Sequence, residues 1–266
     1  AVGVVREADR DLDLPLPAGA SPTLADAIRL EGVSFTYPEA ASAAIDNVSL
    51  AIPAGSFTAF CGPSGGGKST LALIIMGLLR PQAGTVTCDG WEIQRHLSAW
   101  HSQIGYVGQS PFISGRSVRE NVALGLRPEE IDDEAVWQAL EAAAIADFFR
   151  GKPRRLETPL GEEGGLLSGG QRQRVAIARA LYRHPAVLVF DEATAALDTA
   201  TEREVSEAIA RLRGDRTVIA IAHRLTTIEA ADTIHLVEGG RIVASGRYEE
   251  LLGDNEKFRD LAGVRF

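Results

Sequence analysis

Polar and small residues dominate the first 26 positions, and Pro15, Pro17, Gly19 and Pro22 interrupt any periodic run there. This is linker composition. From Ile28 the pattern becomes β-like. Ile28–Tyr37, Val48–Ile52 and Ser56–Phe60 read as strands, separated by Pro38 and by Pro53–Gly55. The third run reaches Cys61 and enters a glycine-rich turn, behind which Ser69–Leu79 reads as an apolar helix. Strand, glycine turn and helix open a doubly wound α/β domain. The stretch 110–167 has no β-branched strand run. Val136, Leu140 and Ile145 recur at helical spacing behind Asp132 and Asp133 as a cap, so the stretch reads as a helical insertion. A helix Gln171–Tyr182, a strand Ala186–Phe190, a helix Thr201–Leu212 and a strand Thr217–Ile221 follow. Two short strands, around Thr233–Val237 and Arg241–Ala244, complete the pattern.

Composition narrows the class. The 266 residues are 45% hydrophobic and 24% charged, ordinary for a globular chain that can bury a sizeable core. The longest apolar runs, such as Leu71–Leu79 and Val187–Phe190, fall short of the roughly 18 residues a membrane span needs, so no bilayer crossing is expected. A formal net charge of −9 opposes a nucleic-acid groove, and no nucleic-acid partner is expected. Cys61 and Cys88 lie in strand-like apolar runs without a CxxC pair, which predicts small core residues and no zinc site. The start at Ala1 has neither a basic nor an apolar leader region, so it is read as a cut in a longer polypeptide rather than a secretory signal.

Three stretches carry chemistry. Gly62-Pro63-Ser64-Gly65-Gly66-Gly67-Lys68-Ser69-Thr70 fits G-x-x-x-x-G-K-[ST], the P-loop. Its glycines let backbone N–H groups turn toward phosphate oxygens, Lys68 supplies a point charge, and the Ser69 hydroxyl can reach Mg²⁺. The following helix aims its positive end at the same oxygens. In the second stretch, Val187–Phe190 is an apolar run suited to a strand buried on both faces, and it ends in Asp191 and Glu192. Asp191 would hold Mg²⁺ through its water shell, and Glu192 would polarise an attacking water as general base. The third is Leu167-Ser168-Gly169-Gly170-Gln171, running into Arg172–Ala180. A serine cap, two glycines and a helix N-terminus make a second anion site, which one ATP does not need.

With these motifs in this order, the chain resembles the nucleotide-binding domain of ATP-binding-cassette proteins from about Ile28 to its C-terminus. The resemblance implies an α/β P-loop NTPase (RecA-like) core, an antiparallel β subdomain and a helical subdomain at about 110–170 that carries the signature motif. It assigns ATP and Mg²⁺ as cofactors. It also implies that Ser168, Gly169, Gly170 and Gln171 cap the γ-phosphate of ATP held by a second nucleotide-binding domain in a head-to-tail dimer. Further positions match in order: Tyr37 the aromatic that stacks on adenine, and Gln109 the glutamine that touches Mg²⁺ and water. Ala196-Leu197-Asp198 matches the loop crossing the dimer interface, and His223 the histidine on the γ-phosphate. Gly66 and Ala195 stand where the family often has serine. His96, His101, His184 and His235 carry no expected role.

Thr158–Gly164 and Phe112–Val122 resemble loops of exporter-type members. The expectation is thus an ATPase domain joined through linker 1–26 to a membrane part of the same polypeptide, at the cytoplasmic face of a membrane. The competing reading within the family is an importer subunit or a soluble mechanical ATPase. The latter would carry coiled-coil insertions, zinc cysteines or a basic surface, and this sequence has none of them.

Overall fold

The structure, a computed structural model, describes residues 24–191, 214–222 and 225–263, with positions 205, 207, 209 and 212 between them. The described strands are β1 (Ala27–Phe35), β2 (Ile45–Pro53), β3 (Phe57–Cys61), β4 (Ala83–Cys88) and β5 (Trp91–Glu92). They continue with β6 (Ile104–Val107), β7 (Val187–Asp191), β8 (Thr217–Ile221), β9 (Thr233–Glu238) and β10 (Arg241–Gly246). They form a four-stranded sheet, β2-β1-β4-β5, and a six-stranded sheet, β10-β9-β3-β8-β7-β6. The smaller sheet is antiparallel. The larger one is parallel throughout except for β10, which lies antiparallel at its edge.

The parallel sheet is covered on both faces, as parallel sheets require. Along β7 the side chains alternate: Val187 and Val189 join one apolar cluster, Leu188 and Phe190 the other. β8 divides its residues in the same way, Ile219 and Ile221 against Val218 and Ala220. The first face receives Leu71, Ile74 and Ile75 of helix α1 (Lys68–Ile75), beyond which lie Ile28, Leu30 and Ile52 of the smaller sheet. On the second face pack α4 (Asp133–Ala142) and α6 (Gly169–Tyr182), with Val136, Leu140, Val175 and Ile177 inward. The short helices α2 (Leu97–His101), α3 (Val118–Val122) and α5 (Ala146–Arg150) are five residues each. Helices that short do not hold themselves, and here the core holds them: Trp100, Val118 and Phe149 are fully buried. Burial of such a side chain stabilises by roughly 1.5–3 kcal/mol, more than a turn of helix loses by fraying.

Local differences from the sequence pattern have physical causes. α1 stops at Ile75 rather than Leu79 because Gly77 adopts φ +73, and a Cβ there would sit 2.8 Å from Leu97. β1 stops at Phe35, which leaves Tyr37 beyond the strand end, and β2 starts at Ile45, ahead of Val48. The strand-like run at Cys88 is β4, in which Val86 and Cys88 are buried, whereas the two-residue β5 was not expected. Residues 24–26, assigned to the linker, are already bonded to the body. The Leu24 N–H donates to Gln103 Oε1 at 3.0 Å, and Asp89 accepts from Ala25, Asp26 and Ala27 at 2.7–2.9 Å. Cys61 and Cys88 are free and buried, and burial pushes both thiols up to about 12, consistent with inert core residues. Most of the expected helix Thr201–Leu212 lies outside the described residues.

Among the described residues, no helix is long and apolar enough to cross a membrane. The stretch 110–168 contains helices and 3-10 turns, and its β pairing among described residues is a single bridge, Ser117 to Pro159.

Candidate nucleotide site

The loop from Gly62 to Gly67 leaves the end of β3 and enters α1, and its glycines are required by space. A Cβ on Gly62, at φ +135, would fall 2.1 Å from the Val237 carbonyl oxygen. On Gly67, at φ +108, it would fall 2.5 Å from the Ala44 oxygen. Gly66, where the family often has serine, would place a Cβ 2.8 Å from the Val237 oxygen, so this loop is packed for glycine there. The loop is braced from outside, since Gly240 N–H donates to the Gly66 carbonyl at 2.9 Å. Gly67 caps α1 without a side-chain hydrogen bond, and no acid occupies the first turn, so the amides at this helix end suit an anion. Lys68 is 5% exposed, and its Nζ donates to the carbonyls of Gly62 at 2.8 Å and Pro63 at 2.9 Å. These features fit a phosphate cradle. Pro63, Ser64 and Gly65 form its exposed crest.

Tyr37 stands beside the same helix. Its hydroxyl lies 3.2 Å from Thr70 Oγ1, and its ring meets Phe35 edge-on at 4.9 Å. The side chain is 40% exposed.

Two of the motifs meet. The Ser69 hydroxyl donates to Asp191 Oδ1 at 3.3 Å, because β3 and β7 both flank β8 and end at the same edge of the sheet. Open α/β sheets bind ligands at the carboxyl ends of their strands. β6 joins this edge beside β7 and delivers Gln109 two residues past its end, exposed. The oxygen donors Ser69, Asp191 and Gln109 suit a hard cation such as Mg²⁺. Among the described residues no group of three or more His, Cys, Asp or Glu could hold a metal by itself.

The signature stretch forms the expected cap. Ser168 and Gln171 make a reciprocal capping box, with Gln171 N–H donating to Ser168 Oγ at 3.3 Å and Ser168 N–H to Gln171 Oε1 at 2.9 Å. Gly169 and Gly170 then begin α6, which has no acid in its first turn. The side-chain hydrogen bonds of Ser168 and Gln171 are made within the cap itself.

Sequence reasoning missed the residues that tie loop 112–117 to the signature helix. Asn121 is fully buried and accepts from Ser114 N–H at 2.9 Å, while its amide donates to the carbonyls of Ser114 and Ser117. Arg179 of α6 donates to Phe112 O at 2.6 Å and to Asn121 O at 2.7 Å, and burial lowers its basicity. The loop 112–117 is thereby fastened to the signature helix. The other exporter-like loop pairs with it: Val118 N–H donates to Thr158 O, and Leu160 N–H to Arg116 O, both at 3.0 Å. The immediate neighbours of Asn121 gave little signal, since it stands between the charged Glu120 and the apolar Val122. Tyr106, which touches Asp191, was also missed. Glu192, Asp198 and His223 lie outside the described residues.

This fold and site define a P-loop nucleotide hydrolase. The comparisons with known proteins specify it further. The ABC transporter family matches residues 45–195. The chain is 44% identical over 233 residues to the mitochondrial ATP-binding cassette sub-family B member 10 of Mus musculus, covering 86% of this chain and 33% of that one. It is 43% identical over 238 residues to the ATP-dependent lipid A-core flippase of Cupriavidus metallidurans, covering 89% and 40%. Among solved structures, a bacterial Atm1-family ABC exporter with ATP bound superposes with a TM-score of 0.82 at 34% identity, over 90% of this chain and 42% of that chain. The chain belongs to the ABC transporter family and is an ATP-binding ATPase domain of it. It spans between a third and two fifths of the length of these curated relatives.

Proposed function

We propose that this chain is the ATP-hydrolysing domain of an exporter, working at the cytoplasmic face of a membrane with a transmembrane part and a second nucleotide-binding domain. The observation that carries the chemistry is the Ser69–Asp191 contact, which brings the phosphate loop and the acidic strand end together beside Lys68. The exporter reading draws on relatives that are named as a flippase and a multidrug transporter. Paired loops at 115–118 and 158–160 give it a structural counterpart.

In this reading Tyr37 receives the adenine, and the amides of Gly62–Thr70 with the Lys68 ammonium receive the β- and γ-phosphates. Ser69, Asp191 and Gln109 would hold Mg²⁺, which would supply positive charge to offset the charge of the transferring phosphate. Glu192 accepts the proton of the water whose oxygen bonds to the γ-phosphorus as the bond to the ADP oxygen breaks. His223 contacts the γ-phosphate. Ser168, Gly169, Gly170, Gln171 and Asp198 serve the nucleotide of the partner domain.

Phosphate release from Mg-ATP by the purified chain tests the assignment. Activity is expected in the chain as it stands, with loss in Lys68→Ala and in Glu192→Gln. Wild-type turnover in Lys68→Ala ends it.

A further inference from the structure

We infer that Tyr106 is a positioning residue for Asp191: its phenol grips the carboxylate from the β6 side and holds it in the orientation that receives the metal. The inference rests on the reading of Asp191 as a metal-binding carboxylate and adds a residue to that site. Tyr106 lies directly opposite Val189 on β7, and alternation puts Val189 and Asp191 on one face of the sheet. Tyr106 and Asp191 are therefore diagonal neighbours across the parallel ladder, on one face of the sheet. The Tyr106 phenol lies beside the Asp191 carboxylate, and burial together with that negative charge raises its pKa.

The strand is shaped for this reach. A Cβ on Gly108, two residues along the same face, would come within 3.1 Å of the Tyr106 hydroxyl, and glycine leaves that space clear. The ring is 47% exposed, which leaves the phenol within reach of a site at the sheet edge. Asp191 then accepts from the Ser69 hydroxyl of the phosphate loop and has the Tyr106 phenol on its edge-strand side. A carboxylate with two fixed donors presents its remaining lone pairs in a defined direction, whereas a half-exposed one with a single donor samples several rotamers. β6 thus supplies the positioning phenol and, at its end, Gln109. The two share a cleft of about 300 Å³ that Phe112 and Arg179 also line.

The test uses the whole chain and Tyr106→Phe, which removes one hydroxyl and keeps the ring. Mn²⁺ binding is read by electron paramagnetic resonance in the presence of a non-hydrolysable ATP analogue. The Mn²⁺ dissociation constant is expected to rise roughly fivefold, the scale of one charge-assisted hydrogen bond at a partly exposed site. The Mg²⁺ concentration that half-saturates ATP hydrolysis should rise by the same factor, with turnover at saturating Mg²⁺ retained. Affinity for the analogue in EDTA should not change. In an Asp191→Asn background the substitution should have no further effect on Mn²⁺ binding. Unchanged Mn²⁺ affinity in Tyr106→Phe, beside a clear loss in Asp191→Asn, overturns the inference alone. An Asp191→Asn variant with wild-type Mn²⁺ affinity overturns the reading of the site beneath it.

Discussion

The Ser69 hydroxyl donates to the Asp191 carboxylate at 3.3 Å, joining segments 122 positions apart in sequence. Both are hard oxygen donors, and their approach defines where a divalent cation would sit. Ser69→Ala removes one donor while leaving the loop backbone and Lys68 in place. We expect the Mg²⁺ requirement for ATP hydrolysis to rise by on the order of tenfold, the equivalent of one interaction with a charged group. Titration of phosphate release against Mg²⁺ checks this, and an unchanged midpoint would remove Ser69 from the metal site.

Two loop glycines separate backbone strain from steric blockade. Gly65, at φ +75, has open space where a Cβ would go, whereas a Cβ on Gly67 would meet the Ala44 oxygen at 2.5 Å. Alanine at position 65 incurs only the left-handed penalty, about 1–2 kcal/mol. At position 67 the loop itself must move. Gly67→Ala should therefore lose ATP affinity by at least an order of magnitude more than Gly65→Ala, measured by equilibrium binding. Equal losses would show that strain, not the fit against β2, sets the loop.

Tyr37 tests how the base is held. Stacking on an aromatic is worth roughly 1–3 kcal/mol by alanine substitution in nucleic-acid binders, so Tyr37→Ala should weaken ATP binding by up to about a hundredfold. Tyr37→Trp should be tolerated. Tyr37→Phe, which deletes only the contact to Thr70, should cost roughly fivefold or less. Full affinity in Tyr37→Ala would make the ring a packing partner of Phe35 and nothing more.

The phosphate loop and the acidic strand end were legible because each is a local pattern with a forced geometry. A glycine run between strand and helix has few conformations, and four apolar residues before two acids fit a central parallel strand. The β subdomain was half legible. β1 and β2 carry long runs and the run at Cys88 marks β4, but β5 is two residues long and leaves no period to detect. Asn121, Arg179 and Tyr106 escaped notice for another reason. Their roles depend on partners far away in sequence, 58 positions between Asn121 and Arg179, and a side chain's partner is not written in its neighbours.

His235 makes stability depend on pH. Its ring stacks on Phe60 at 5.5 Å, Nδ1 lies 2.7 Å from Ser245 Oγ, and Nε2 is buried without a partner among the described residues. Burial lowers its pKa from 6.5 to about 4. The unfolded chain therefore holds this proton below pH ~6.5 and the folded chain only below pH ~4, so stability falls as pH drops through that window. The full loss is roughly 3 kcal/mol, an order-of-magnitude figure. His235→Phe keeps the stacking and cannot titrate. Urea unfolding at about pH 7 and about pH 5 should show a larger drop in the parent chain than in the variant. Equal drops would place the titration elsewhere.

The second anion site predicts assembly. Ser168 and Gln171 satisfy each other, while the first-turn amides of Gly169 and Gly170 have no acceptor within the helix. In the proposed function they receive the γ-phosphate held by a second nucleotide-binding domain, as the family resemblance implies. Each domain carries a formal charge of −9, and two such domains should separate when no nucleotide lies between them. Glu192→Gln keeps the shape of the side chain and removes the base, so Mg-ATP should trap a dimer containing two nucleotides. ADP should not, because it lacks the phosphate that the cap receives. Adding Ser168→Arg fills that space without touching the P-loop of its own chain. The double variant should still bind ATP and should stay monomeric. Light scattering with each nucleotide decides the matter. A Glu192→Gln chain that is monomeric in saturating Mg-ATP, or one that dimerises equally with ADP, would break the link between the signature helix and a partner's nucleotide.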